Sequence, residues 1–339
     1  MNAPMGIALT CFFLALAAYA RWGRTGWLHG LGFTFSVFAF GAAAMTFPLA
    51  FVAWGAFELK HAIGPLVQLI LFGMGMTLTF ADFRRVATMP KAVLVGIVLQ
   101  FTVMPLVGYL SARAFGLRGE VAAGLILIGS CPGGVASNVI AYLARANVPL
   151  SVTMTACSTL LSPLMTPLAM KLLAGTYVPI EFLPMMMQIL KMIILPLAAG
   201  LLIHRYAPRM AARLVKVLPF LAMASICVII GITIGMSRDD LLRVGLALFA
   251  ASAAHNAVGY LLGYHGAKLA RLNPRDCRTV ALEVGIQNGG MATGLAFNVL
   301  HSAQAAMASA TFGPWSAITS SVLASWWRKR TATEAGEEK

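Results

Sequence analysis

Acid is scarce in this chain. Eleven Asp and Glu stand among 339 residues, against 25 Lys and Arg and a hydrophobic share of 59%. Charged residues total 11%, too few to solvate the two soluble domains that this length would otherwise suggest. Cysteine is sparse as well. Cys11, Cys131, Cys157, Cys227 and Cys277 are scattered without CxxC spacing, which argues against a disulfide framework or a zinc site. The six histidines form no HExxH, and no second carboxylate accompanies the one acid found in a long apolar run. Neither a metal motif nor a nucleophile–base pair is therefore in place, and the chain does not read as an enzyme. Basic residues are not interleaved with aromatics in the manner of a nucleic-acid surface, so the net charge of +14 needs another explanation.

What is present is apolar sequence in runs of about 17–25 residues, the length that spans a bilayer as helix. The runs fall at roughly 5–20, 30–53, 64–80, 92–112, 121–144, 150–172, 185–203, 217–236, 241–264, 279–300 and 304–327. This is the pattern of an all-α integral membrane protein, in contact with lipid. With alternate loops on alternate sides, one side collects Arg21, Arg24, Arg84, Arg85, Lys91, Arg145, the Arg205–Lys216 cluster, the Lys268–Arg278 cluster, Arg328–Arg330 and Lys339. The other side holds only Lys60, Arg113, Arg118, Lys171, Arg238 and Arg243. The positive-inside rule puts the first side, with the C-terminus, in the cytoplasm. Ala18-Tyr19-Ala20 resembles a signal-peptidase site, but positive charge follows the first apolar segment instead of preceding it. Residues 1–27 are thus expected to be an extra, retained transmembrane segment. The polar end, residues 331–339, is expected to be disordered.

One stretch organises the rest: Thr279-Val-Ala-Leu-Glu283-Val-Gly-Ile-Gln-Asn-Gly-Gly-Met291. An ionisable group at bilayer depth costs ~2.5–3.5 kcal/mol even on insertion scales, so Glu283 requires partners. Its neighbours in sequence are Gln287, Asn288 and paired glycines, with no lysine or arginine. Glycines there loosen the helix where backbone carbonyls can turn inward towards a cation. A second stretch, Gly129-Ser-Cys-Pro-Gly-Gly-Val-Ala-Ser-Asn138, breaks a helix in mid-membrane, because proline lacks a donor and glycine resists helical order. The break serves either as a packing kink or as a half-helix end aimed at the midplane. Ser151, Thr155 and Thr159 then share one helix face, with Ser158 beside it. Such hydroxyls commonly bond back to their own helix. Gln100 and His255-Asn256 are polar groups in apolar runs, where bonding to a neighbouring helix is the usual role. The two Gly-interrupted segments lie five crossings apart, which implies two halves inverted in the membrane and a site between them.

These motifs, with Leu150-Ser-Val-Thr153 and His255-Asn-Ala-Val-Gly-Tyr260, resemble the bile acid:sodium symporter family over residues 30–328. The resemblance implies a ten-helix core of two inverted five-helix repeats with crossed, discontinuous helices, set in residues 28–330. Within it the panel domain would be residues 28–80 and 185–240, and the core domain residues 90–173 and 241–328. It also implies two coupling sodium ions. One would be held by Ser137, Asn138, Ser151, Thr155 and Glu283, the other by Gln100, Glu283, Gln287 and the backbone oxygens of Val284 and Ile286. Substrate would lie near Val135, Ala136, Asn288, Ser316 and Ala317. This chain has Val135 where relatives often have threonine, and Trp315-Ser-Ala317 where they often have Trp-His-Asn. The function implied is sodium-coupled import of an organic monoanion of the bile acid, pantoate or 2-keto acid class. The carrier would be a monomer in the inner membrane, working by alternating access. A proton-coupled or efflux carrier of the same fold, such as an arsenite permease, is the alternative; Glu283 would then titrate, or Cys131 would bind the cargo.

Overall fold

The computed structural model describes residues 3–22 and 32–337. Arg24, His29, Lys339 and the segment boundary expected at residue 27 lie outside them. Among the described residues six helices are long and apolar enough to cross a membrane, and a bent pair adds a seventh, giving a multi-pass all-α membrane protein. Helix α1 (Ala3–Trp22) packs along α2 (Gly32–Thr46). The crossing expected at 30–53 stops at Thr46, because Pro48 has no N–H to continue the ladder. A short hairpin, Ala53–Trp54 with Phe57–Glu58, leads into α3 (Lys60–Thr77). The chain then turns by 73° into α4 (Phe80–Arg84), whose start Thr79 caps with Asp82.

Next come α5 (Pro90–Ala114), α6 (Gly119–Ser130), α7 (Ala136–Leu143) and α8 (Val148–Ala169). Two helices, α9 (Phe182–Ile189) and α10 (Leu195–Tyr206), join through one wide turn into a single span. They are followed by α11 (Pro208–Met236), α12 (Arg238–Leu269), α13 (Pro274–Gly285), α14 (Gly289–Asn298) and α15 (Ala303–Glu337). The basic loop expected at Arg205–Lys216 is only a turn at Ala207, since Pro208 starts α11 and its basic residues ride on that helix. The end expected to be disordered is helical through Glu337, as its alanines and glutamates favour.

Two groups of helices pack internally. Helices α2, α3, α10 and α11 form one, and α5, α6, α12, α13 and α15 anchor the other. Close approach in the first group comes from Gly75, where a Cβ would stand 2.1 Å from the Leu197 carbonyl oxygen.

Hydrogen bonds tie the loops into two ends. At one end Thr153 donates to the Asp82 carbonyl at 3.1 Å, Asn147 to Asp276 at 2.7 Å and Arg275 to the Ala146 carbonyl at 3.3 Å. Arg84, Arg85, Arg145 and Arg275 therefore share that end. At the other, Arg238 donates to the Met45 carbonyl at 2.9 Å, Gln304 to Asp240 at 2.8 Å and Ser302 to Glu120. The loops that carry Arg84, Arg85, Arg145 and Arg275 thus lie together, apart from those that carry Arg118 and Arg238.

Candidate functional site

Two of the expected crossings are broken in mid-course, and the breaks meet. Helix α6 ends at Ser130 and α7 starts at Ala136, across Cys131-Pro-Gly-Gly-Val135. Helix α13 ends at Gly285 and α14 starts at Gly289, across Ile286-Gln-Asn288. Gly134 N–H donates to the Ile286 carbonyl at 2.8 Å and Asn288 N–H to the Pro132 carbonyl at 3.0 Å. Gly133 pairs antiparallel with Gln287. Each break thereby satisfies the polar backbone that the other frees, as a hydrocarbon environment demands. Side chains at the contact would prevent it. A Cβ on Gly133 would stand 2.7 Å from Glu283 Oε2, and one on Gly134 would stand 2.7 Å from the Gln287 carbonyl oxygen.

Glu283, on the last turn of α13, is buried at 2% exposure with the breaks around it. Its partners are hydroxyls. Ser137 and Ser151 both donate to Oε1, and Thr155 lies 3.1 Å from Oε1 and 2.9 Å from Oε2. Hydrogen bonds to a charged group are worth ~1.5–3 kcal/mol each, so three donors offset much of the cost of burying the carboxylate. Asn138 Oδ1 stands beside this cage, 2.8 Å from the Ser151 hydroxyl and 3.5 Å from that of Thr155, as an alternative acceptor for their protons. The hydroxyl face of α8 therefore divides. Ser151 and Thr155 reach the carboxylate, whereas Thr159 and Ser158 donate back to the Thr155 carbonyl at 2.7 and 3.1 Å.

On the other side of Glu283 lie the amides. Gln100 Nε2 donates to Gln287 Oε1 and to the Cys131 carbonyl, each at 2.8 Å. Gln287 Nε2 returns a bond to Gln100 Oε1 at 3.3 Å and bonds the Val284 carbonyl at 2.6 Å. Gln100 and Glu283 line one narrow gap together with Gly133, Met154 and Ser158. The nine residues expected to hold cations thus form one continuous cluster. Carboxylate, amide, hydroxyl and carbonyl oxygens are the donors that hard cations select over sulfur or imidazole.

The expected substrate positions are more scattered. Val135 and Ala136 open α7, half-buried and exposed respectively. Asn288 caps α14, its side-chain oxygen accepting the Met291 N–H at 3.0 Å. Ser316 is buried and donates back to the Gly313 carbonyl at 2.9 Å, so its hydroxyl serves its own helix. Ala317, half-buried, is its neighbour on α15. That stretch reaches the breaks indirectly: Thr319 donates to Asn256 at 2.8 Å, and Asn256 donates to the Gly285 carbonyl at 2.9 Å. Tyr260 adds a bond to the Ser316 carbonyl at 3.3 Å. Tyr260 and Asn256 belong to the His255–Tyr260 motif, whereas nothing in the sequence singles out Thr319. His255 bonds the Met104 carbonyl at 2.9 Å, the helix-to-helix role expected of it.

Residues 64–243 match the model of the Sodium Bile acid symporter family. The chain belongs to that family. Among its relatives is an uncharacterized sodium-dependent transporter, YocS, from Bacillus subtilis. It is 36% identical over 304 residues, 89% of this chain and 93% of that protein, a span that takes in both breaks. The probable sodium/metabolite cotransporter BASS1 of Arabidopsis thaliana chloroplasts is 36% identical over 78% of this chain and 66% of its own. The ileal sodium/bile acid cotransporter of Oryctolagus cuniculus is 33% identical over 66% of this chain and 65% of its own. Membership of a symporter family makes this chain a transporter and not an enzyme.

Proposed function

We propose that this transporter is a sodium-coupled symporter that imports an organic monoanion by alternating access. The observation that carries the reading is the buried carboxylate of Glu283, held by three hydroxyls at the meeting of two helix breaks. Sodium enters as cargo, and the oxygen donors present fit it. One ion would take Ser137, Asn138, Ser151, Thr155 and Glu283. A second would take Gln100, Glu283, Gln287 and the carbonyls of Val284 and Ile286. A carboxylate shared by two cations would be neutralised without a basic side chain.

Two sodium ions entering with one anion carry a net positive charge, and each charge moved through 100 mV releases ~2.3 kcal/mol. Transport would then be electrogenic. The anion would lie where the breaks expose half-helix starts, near Val135, Ala136 and Asn288, with Ser316 and Ala317 alongside. A bile acid, pantoate or a 2-keto acid suits that description, and relatives are named for bile acid and metabolite transport. Helices α2, α3, α9, α10 and α11 would form the panel, and α5 to α8 with α12 to α15 the core, as two inverted five-helix repeats. Ions binding first would order the breaks, after which panel and core would rock about the site. The basic end would face the cytoplasm with the C-terminus, the protein lying in the inner membrane.

The test is uptake of labelled small acids into proteoliposomes under a sodium gradient, with potassium as control. Uptake driven by sodium and made faster by an inside-negative potential is expected. Uptake that follows pH and ignores sodium would favour proton coupling, and export lost on Cys131→Ser would favour the arsenite reading.

A further inference from the structure

On helices that carry neither break, a cavity of about 980 Å³ opens at the corner where α3 turns into α4 beside the end of α10. The corner is braced from within. His204 on α10 bonds the Leu78 carbonyl at 2.9 Å, and Asp82 is engaged by Thr79 N–H at 2.8 Å, by the Thr79 hydroxyl at 2.7 Å and by Arg85. That leaves two other cations on the cavity lining. Arg84 of α4 and Arg205 of α10 are exposed, and among the described residues neither forms an ion pair. The rest of the wall includes Leu78, Phe80, Phe83 and Leu201, and Phe80 is 50% exposed. Unpaired guanidinium groups beside apolar wall call for a ligand with an anionic head and an apolar body.

The place of the cavity narrows the choice. It sits at the basic end of a membrane-spanning chain, where helix ends meet the lipid headgroups. We infer that this corner is a binding site for an anionic phospholipid, its phosphate bridging Arg84 and Arg205 and an acyl chain lying on Phe80 and Leu201. Such a lipid would fasten α4 to α10. Helix α4 itself packs against α8, where the Thr153 hydroxyl, between Ser151 and Thr155, is shared between the Pro149 carbonyl of its own helix at 2.8 Å and the Asp82 carbonyl at 3.1 Å. The headgroup would therefore brace the turn of α8 that supplies two hydroxyls to Glu283. This inference stands apart from the proposed transport reaction and needs no knowledge of the substrate.

Native mass spectrometry of the full-length protein in detergent tests it. The probes are phosphatidylglycerol, phosphatidylcholine of the same chains, and glycerol phosphate as headgroup alone. Phosphatidylglycerol should be retained over phosphatidylcholine. Two arginines at a membrane surface are worth about thirtyfold in retention, which Arg84→Gln with Arg205→Gln should remove. Arg209→Gln with Arg213→Gln, exposed at the same end but off the cavity, should retain the lipid. An equal loss in that control would mean diffuse attraction to a basic rim and would overturn the site. Competition by glycerol phosphate as effective as the whole lipid would mean a soluble-anion site, and would overturn the lipid assignment. Ala81→Trp fills the cavity without touching charge, so retention should fall there too even if the arginine pair proves needed for folding. Undiminished retention in a folded Ala81→Trp protein, judged by its melting curve, would sink the proposal.

Discussion

The two sides of the Glu283 carboxylate are made of different material. On one side Ser137, Ser151 and Thr155 point hydroxyls at the oxygens, with Asn138 Oδ1 close by. On the other, Gln100 and Gln287 clasp each other, the Val284 carbonyl takes a Gln287 amide proton, and the Ile286 carbonyl takes the Gly134 N–H. A hydroxyl can rotate its proton away and offer a lone pair without moving its oxygen. An amide pair must instead be parted, or turned, before its oxygens face an ion. The hydroxyl side is therefore nearly pre-organised for a cation, whereas filling the amide side must disturb the breaks themselves. In the proposed mechanism, tight binding would belong to the first side and coupling to conformation to the second.

Substitutions can break this comparison, and the largest effect should come from the shared group. Glu283→Ala should reduce sodium-driven uptake in proteoliposomes to background, a loss of about a hundredfold or more; substantial uptake remaining would mean that the two sides do not meet at one carboxylate. Ser151→Ala combined with Thr155→Val should come next. Removing two of the proposed oxygen ligands should raise the sodium concentration needed for thermal stabilisation by about tenfold to a hundredfold, equivalent to ~1.4–2.7 kcal/mol. Gln287→Leu should act more gently on affinity, by about tenfold or less at ~1 kcal/mol. It should also bring the sodium dependence of uptake closer to hyperbolic. A Hill slope unchanged from the parent would deny the amide side its own ion. Thr159→Val should have the smallest effect. Its hydroxyl serves the Thr155 carbonyl, so the sodium midpoint should move by less than about twofold. A shift as large as that from Thr155→Val would show the whole hydroxyl face to be in use.

Much of this was legible residue by residue. Pro132 with Gly133 and Gly134 forecast the first break, because their effect on a helix is local. Glu283 announced itself by cost alone. The hydroxyl face of α8 was visible as a period, yet its period could not say which members face the carboxylate and which turn back on their own helix. Ser316 illustrates the same limit: its place was expected near substrate, and its hydroxyl is spent on the Gly313 carbonyl. The Asn256–Thr319 link was missed because it joins helices 63 residues apart, and neither residue type is unusual on a membrane helix.

Amino-acid order by itself determined the apolar runs, their interruption at two glycine-rich points and the partition of basic residues between two ends. These depend on hydrophobicity, backbone freedom and charge, which each residue carries wherever it goes. Only the tertiary structure decided that the two interruptions hydrogen-bond to each other, that Ser151 and Thr155 but not Thr159 close on Glu283, and that Gln100 finds Gln287 across 187 residues of chain. A helix fixes which side chains share a face. What that face meets depends on how all the helices pack, and packing is a property of the whole chain.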